Sequence, residues 1–590
     1  MEAPRKFLTR RTILISLAVL GAGLALGAYF KLRRLPREPM ERYIPATALA
    51  YAQLDSLPEL LDGLTSTPAW RELAPALGLS SQLKQVGSMA DLMGRAGIGP
   101  DEAVVAGRAQ FAIAITGIDT ETGSEEEGPY VRFKPRLALI VQSHASPETA
   151  ARLVRDRASI VAARLFGGSI DQQSRNYQGV DLLIFRGSEP QRQLMASATG
   201  SLLLLTNDET AMTSCLDTIA GRAPGLTENT TLRDMRKSVG DEAPVFAFVT
   251  ATGVARLAQL APALVSSRFT TDPERIGTVA SLFGHLSEQA IAGLLYSSSF
   301  RSGGVVDKYM TVLAPPVASD MAALFKPGAD GRLESLALVP RSADDFTMLD
   351  LQGAGDLPER GLKQLAPKFD VVAGLALKEF VIGLRSRLGL RSEDSLGGAV
   401  SNDITLVKLA DDQPVAMLIG VKDRNALMPA VDRYLRLGGS SVTTAQFNGV
   451  EISASSNPDG RAAAFVDNYL VLASRDQMPV LIDARVSRSA AGSDERVLRA
   501  LRDCPASASM ISCRPGVDDA GELMLAISKL TRVTDGSREL LASGPVRAAL
   551  GRLPPSVSFT EFRDSGIYTE TRSAAGNFTL LASLFGSGED

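Results

Sequence analysis

Short apolar runs bounded by polar residues at Ala48–Asp55 (ALAYAQLD), Gln110–Ile118 (QFAIAITGI) and Arg136–Ser143 (RLALIVQS) read as strands. Val180–Phe185 (VDLLIF) and Ser201–Asn207 (SLLLLTN) predict two further strands. Helical spacing takes over between them. Pro68–Leu79 and Leu83–Met93 read as helices, and Ser146–Phe166 is a long one. In that long helix Ser146 is the expected N-cap, Pro147 the first helical position and Glu148 a first-turn acid. Its predicted buried stripe is Leu153, Val154, Ala158, Val161 and Leu165. A following helix is capped by Asp208 and closed by Gly221. Ala290–Leu313 reads as a hairpin turning at Gly303–Gly304. Strands adjacent in sequence, with helices between groups of them, predict an antiparallel-rich α+β fold with helices on one sheet face.

The same pattern is then written a second time. Tyr43–Asp55 (YIPATALAYAQLD) aligns with Leu338–Asp350 (LVPRSADDFTMLD), and Leu137–Ser143 with Val415–Val421. The motif at Tyr177 (YQGVD) recurs at Phe447 (FNGVE), and Ser201–Asp208 recurs as Tyr469–Asp476. Phe300–Val306 (FRSGGVV) matches Phe562–Tyr568 (FRDSGIY). These pairs are collinear, and their offset falls from about 295 to about 260, so the first copy carries the longer loops. The expectation is two tandem duplicated modules, 40–328 and 333–588, joined by a linker at 329–332 within the turn-rich KPGADG. A groove between them, or a concave sheet face, is where a ligand is expected.

One segment fits neither period. Thr12–Phe30 is 19 residues without a charge, long enough to cross a bilayer as a helix. It predicts a signal anchor, with residues 1–11 as a cytoplasmic basic tail and 31–39 as a juxtamembrane linker. The pair Arg10–Arg11 also suits a twin-arginine export signal, although Ile15 stands where that pattern carries lysine. Gly23 and Gly27 form a G-x-x-x-G that permits helix pairing.

Composition narrows the function by exclusion. A net charge of −4 with 5% aromatic residues and no basic patch argues against nucleic acid. Three cysteines in 590 residues give no disulfide framework. Cys215 falls on a helical apolar stripe, and a strand between Cys504 and Cys513 would hold their sulfurs apart. Only His144 and His285 are available for metal or triad chemistry, without ligand spacing, and no cofactor is expected. Ser81 and Lys84 have the S-x-x-K spacing of penicillin-binding enzymes but no K-T-G partner. The acidic stretch Gly117–Pro129, with Asp119, Glu121, Glu125, Glu126 and Glu127, reads as a solvated loop that the second copy lacks, with calcium as the alternative. Asp181/Glu451, Arg233/Arg499 and Arg301/Arg563 recur in both copies as charges of unassigned role.

The arginine-flanked span, the stretch LPREPMERYIPATALAY after it and the paired YQGVD-type modules resemble a family of bacterial membrane-anchored envelope proteins of unknown function. The resemblance implies an exported, single-pass ectodomain on the periplasmic side, and it transfers no catalytic residue. The expected function is therefore non-enzymatic binding of an envelope component, either a protein or a lipid-like apolar ligand. The alternatives are an envelope hydrolase using Ser81, Lys84 or scattered carboxylates, and a scaffold assembled through Gly23 and Gly27.

Overall fold

Every segment read above as a strand contributes to one in the computed structural model, and the strands belong to one antiparallel sheet. The structure describes residues 37–79, 105–125, 128–167, 170–188, 192–239, 243–266, 284–301, 303–328, 333–391, 394, 396–410, 412–457, 460–515, 518–530 and 538–577. The first ten strands are β1 Ala50–Leu54, β2 Gln110–Glu125, β3 Gly128–Gln142, β4 Asp171–Tyr177, β5 Val180–Arg186, β6 Gln193–Thr199, β7 Leu202–Thr206, β8 Val245–Thr250, β9 Ile291–Arg301 and β10 Gly304–Leu313. The next ten are β11 Asp345–Asp350, β12 Val400–Lys408, β13 Ala416–Val421, β14 Val442–Phe447, β15 Val450–Ser455, β16 Arg461–Val466, β17 Tyr469–Ser474, β18 Met510–Arg514, β19 Ser556–Arg563 and β20 Gly566–Ser573.

Pairing runs β4-β5-β6-β7-β3-β2-β1-β8-β9-β10 and crosses to β20 through the register Val305↔Ser573 to Val312↔Gly566. It continues β20-β19-β18-β11-β12-β13-β17-β16-β15-β14. Outward from the β10–β20 junction the ten strands on each side occur in the same order. The likeness extends to turns. Gln178–Gly179 and Asn448–Gly449 all have positive φ, the conformation of a two-residue I′ hairpin turn that glycine makes accessible.

The helices before β11 are α1 Leu57–Ser66, α2 Pro68–Ala76, α3 Pro147–Phe166, α4 Glu209–Ile219, α5 Thr230–Val239, α6 Ala251–Ser266 and α7 Pro315–Leu324. Those after it are α8 Leu357–Leu365, α9 Val371–Arg387, α10 Arg424–Leu435, α11 Gln477–Val486, α12 Glu495–Arg502, α13 Asp518–Leu530 and α14 Gly544–Leu550. Residues from Met40 onward form one compact unit.

Helices cover both faces of the sheet at β5–β7, not one as the pattern suggested. Leu182 and Ile184 point into a core with Tyr51, Ala112, Ile140 and Met212. Phe185 turns the other way, onto Val154, Ala158 and Ala162 of α3. Continuous apolar runs, unlike alternating ones, are what two covered faces require. Each fully buried side chain of this size contributes about 2–3 kcal/mol.

Several local expectations shift. Ser146 does cap α3, accepting from Thr149 N at 3.3 Å. The buried face of α3, however, is Ala150, Val154, Ala158 and Ala162, leaving Val161 and Leu165 exposed. An i, i+4 row of mostly alanines lets the helix approach the sheet closely, which larger side chains would prevent. Asp208 caps α4 through Ala211 N at 3.0 Å. Its counterpart Asp476 makes no side-chain cap; Ser474 Oγ instead accepts from Gln477 N at 3.3 Å. The β9–β10 hairpin closes with Arg301 opposite Gly304, so its turn lies one residue earlier than Gly303–Gly304. Cys504 and Cys513 share no disulfide, but the strand between them starts only at Met510, because Pro505 and its followers form a turn. Burial pushes the Cys215 thiol up to about 12, so it is an inert core group.

Candidate functional site

The two hairpins that differ most between the sides of the sheet are β2–β3 and its counterpart β12–β13. The expected acidic loop at Gly117–Pro129 is instead a two-stranded ribbon, paired from Gly117↔Arg136 to Glu125↔Gly128. Neither edge of this ribbon joins the sheet, since β1 pairs with β2 only through Phe111–Ile115 and β7 meets β3 only through Ala138–Gln142. A register shift between Ile115 and Gly117 marks a bulge at its root, and bulges bend a strand and re-aim its side chains. On the other side β12 stops at Lys408 and β13 starts at Ala416, so no ribbon forms.

The root of the ribbon makes one wall of an open cleft of about 390 Å³, in the range of small-ligand sites. Its lining includes Leu49, Ile118 and Ala255 as apolar surface, with Arg136, Arg256 and Glu288 as charged groups. Helix α6 supplies the opposite wall. Thr250 fixes where α6 begins: its Oγ1 accepts from Gly253 N at 3.1 Å and its own N–H donates to Leu49 O at 2.9 Å. Gly253 is required there, because a Cβ would come within 2.0 Å of Leu49 O.

The charges are arranged unequally. Arg136 donates to both Asp119 oxygens, through Nε at 2.8 Å and Nη2 at 2.5 Å, a bidentate pair. The hydrogen bonds from Arg136 hold the Asp119 carboxyl below its ordinary range. Arg256 donates only to neutral oxygens, Gln259 Oε1 at 3.1 Å and Ile118 O at 3.4 Å. Neither Arg256 nor the exposed Glu288 enters an ion pair among the described residues. The site therefore offers a half-buried guanidinium that feels Asp119 at a distance but sits in no ion pair among the described residues, next to apolar surface and the N-terminal turn of a helix.

A second polar feature is buried. Asp350 on β11 and Asp403 on β12 are register partners, and Tyr469 Oη donates to Asp403. Both carboxylates are 5% exposed. Burial, then the neighbouring Asp350, raises the Asp403 carboxyl to about 6 despite the tyrosine bond. At the matching place on the other side, Asp55 receives Gln110 Nε2 at 3.1 Å and Gln53 Nε2 at 3.0 Å. A fourth buried acid, Asp307, is held by Tyr296 Oη at 2.8 Å and by Asn577 N at 2.9 Å, tying the C-terminal stretch to the sheet. The buried atoms Asp350 Oδ1 and Gln53 Oε1 accept no hydrogen bond among the described residues, and the small opening beside Asp350 and Asp403 has room for little more than water.

The sequence-singled charges do not assemble into a site. Asp181 sits beside the β4–β5 turn, taking Asn176 Nδ2 at 2.9 Å, and Glu451 holds the matching register place opposite Gln446. Arg301 ends β9 and Arg563 ends β19, with Arg563 over the Tyr568 ring at 3.8 Å. Arg233 donates to Thr227 O at 3.2 Å, and Arg499 lies exposed on α12. The β5 and β9 positions are seven strand spacings apart, roughly 30 Å at about 4.8 Å each. Thr12, Gly23, Gly27, Phe30, Ser81 and Lys84 lie outside the described residues, as do Glu126 and Glu127. Among the described residues no helix is long and apolar enough to cross a membrane, and no three His, Cys, Asp or Glu groups come together as a metal site. His285 is engaged by Asp370 in a contact between distant parts of the chain, reinforced by Gln289 Nε2 on Asp370 at 2.8 Å.

No family model, curated protein or solved structure matches this chain. The functional reading therefore stands on the geometry. Sequence reasoning singled out the acidic insertion at Gly117–Pro129 but missed Arg256 and Arg136, whose partnership depends on folding. The available signal was that Gly117–Pro129 has no equivalent in the stretch leading to Val415–Val421.

Proposed function

We propose that the protein is a non-enzymatic binding protein, made of two duplicated α+β modules that meet through β10 and β20. In this reading residues 12–30 anchor it in a bacterial membrane, and residues 40–328 and 333–588 lie on the periplasmic side. It binds an envelope component in the cleft between α6 and the β2–β3 ribbon. The observation that carries the reading is the cleft itself: about 390 Å³, open, and walled by an extension present on one side of the sheet only. A scaffold common to both modules, with a pocket added to one, is how binding sites are grafted onto folds. The collinear sequence pairs and the common strand order support the duplication, and the charge-free stretch Thr12–Phe30 supports the anchor.

Native mass spectrometry of the full chain, purified from the membranes of its own host, tests the reading. A discrete additional mass that chloroform removes is the expected result. A clean mass of the chain alone, in both wild type and extracted material, would overturn ligand binding and move the reading to a protein partner or a scaffold.

A further inference from the structure

We propose that the cleft selects a ligand with one anionic group, carboxylate or phosphate, attached to a short apolar body, and that Arg256 is the residue that takes the anion. This rests on the binding reading above and names the ligand class of the same cleft. Arg256 and the start of α6 place positive potential there. Arg256 is half-buried and satisfied by two neutral oxygens, so its charge has no counter-charge within ion-pair reach among the described residues. Arg136 is locked in orientation by Asp119, whose carboxylate also attracts Arg256 from beyond ion-pair distance, so this pair fixes the far wall and offsets the Arg256 charge only in part. Thr252 and Ala255 bring the first turns of the 16-residue helix α6 to the lining, where the helix dipole favours negative charge.

Leu49, Ile118 and Ala255 supply the apolar surface for the rest of the molecule. Glu288 lies exposed among the lining residues, where water solvates it. It disfavours a second, separate anionic group, so a ligand with one anionic group is preferred over a dicarboxylate of similar size. The cleft volume suits about ten non-hydrogen atoms together with some water.

The test is isothermal titration of the full chain in bilayer nanodiscs, with empty nanodiscs as the blank. The probes are hexanoate, hexyl phosphate, 1-hexanol and hexylammonium. At least one of the two anions binds, ~10-fold or more tighter than 1-hexanol, as expected for a charge-assisted contact. Tighter binding of hexanoate identifies a fatty-carboxylate source, and tighter binding of hexyl phosphate a phosphate headgroup. Arg256→Gln removes that preference while its melting curve and far-UV spectrum stay those of wild type, and Glu288→Gln tightens the anion by roughly threefold. Equal binding of 1-hexanol and both anions, a preference for hexylammonium, or an Arg256→Gln variant that binds as wild type overturns the proposal. If the anions fail while native mass spectrometry still shows a bound species, the ligand class is wrong and the binding reading survives. A clean native mass defeats that reading independently.

Discussion

The hairpins β2–β3 and β12–β13 hold matching places in the strand order, yet one grows into a ribbon and the other stops at the sheet edge. The contrast teaches that the sheet is the common support and that the cleft forms where the two sides diverge. Two other matched pairs show the same divergence. Helices α2 and α9 both follow the first strand of their side and are both capped by a side chain, Thr67 on Trp70 N and Asp370 on Ala373 N. Trp70 is 3% exposed in a core with Leu73, Leu523, Met524 and Val546. On α9, by contrast, Val372 is 56% and Phe380 64% exposed. In the polar corners, Asp55 faces two amides while Asp350 faces a second acid.

The largest effect is expected at the helices. Trp70→Ala empties a packed core and costs about 3–5 kcal/mol in denaturant unfolding. A loss below 1 kcal/mol would show that the α2 cover is not built as described.

Next comes the acid pair. Asp403 has a folded pKa raised to about 6 from an ordinary value near 3.8, so the folded state prefers it protonated. Its contribution is therefore least harmful below about pH 4 and costs stability as pH rises through about 6, by an amount of the order of 2–3 kcal/mol. Asp403→Asn should raise the melting temperature at pH 8 and flatten the decline seen in wild type between pH 4 and 7. An unchanged pH profile would remove Asp403 from the account.

The reciprocal change makes the other corner acidic. Gln110→Asp sets a second carboxylate beside Asp55 and removes a hydrogen-bond donor, so it should cost about 1–3 kcal/mol at neutral pH and less in acid. Thermal melts at pH 5 and pH 8 read the difference. The smallest effect belongs to Phe380→Ala, expected within about 0.5 kcal/mol because most of the ring is already in water. A loss like that of Trp70→Ala would mean that α9 is covered in solution.

Much of this fold was legible in the alternation of residues such as Phe111, Ile113 and Ile115, which mark a strand whatever surrounds them. Strand β4 left no such signal, because nearly all of Asp171–Tyr177 is exposed and polar on both faces. The buried stripe on α3 is hard to read from side-chain size, because the Ala150–Ala158–Ala162 row, and not Val161 or Leu165, meets the sheet. The ribbon was visible only as an insertion, since acidic turns and acidic strands share a composition. The cleft was not legible at all. Leu49, Arg136, Arg256 and Glu288 span almost 240 positions of the chain, and their meeting depends on the sheet order and on Gly253 letting α6 rest against Leu49.

Hydrogen–deuterium exchange of the full chain, with and without saturating hexyl phosphate or hexanoate, tests the central claim most directly. The account predicts slowed exchange in the first turns of α6 and at the root of the β2–β3 ribbon, with no change at β12–β13. Protection at β12–β13, or none near Arg256 while ligand is bound, would contradict it.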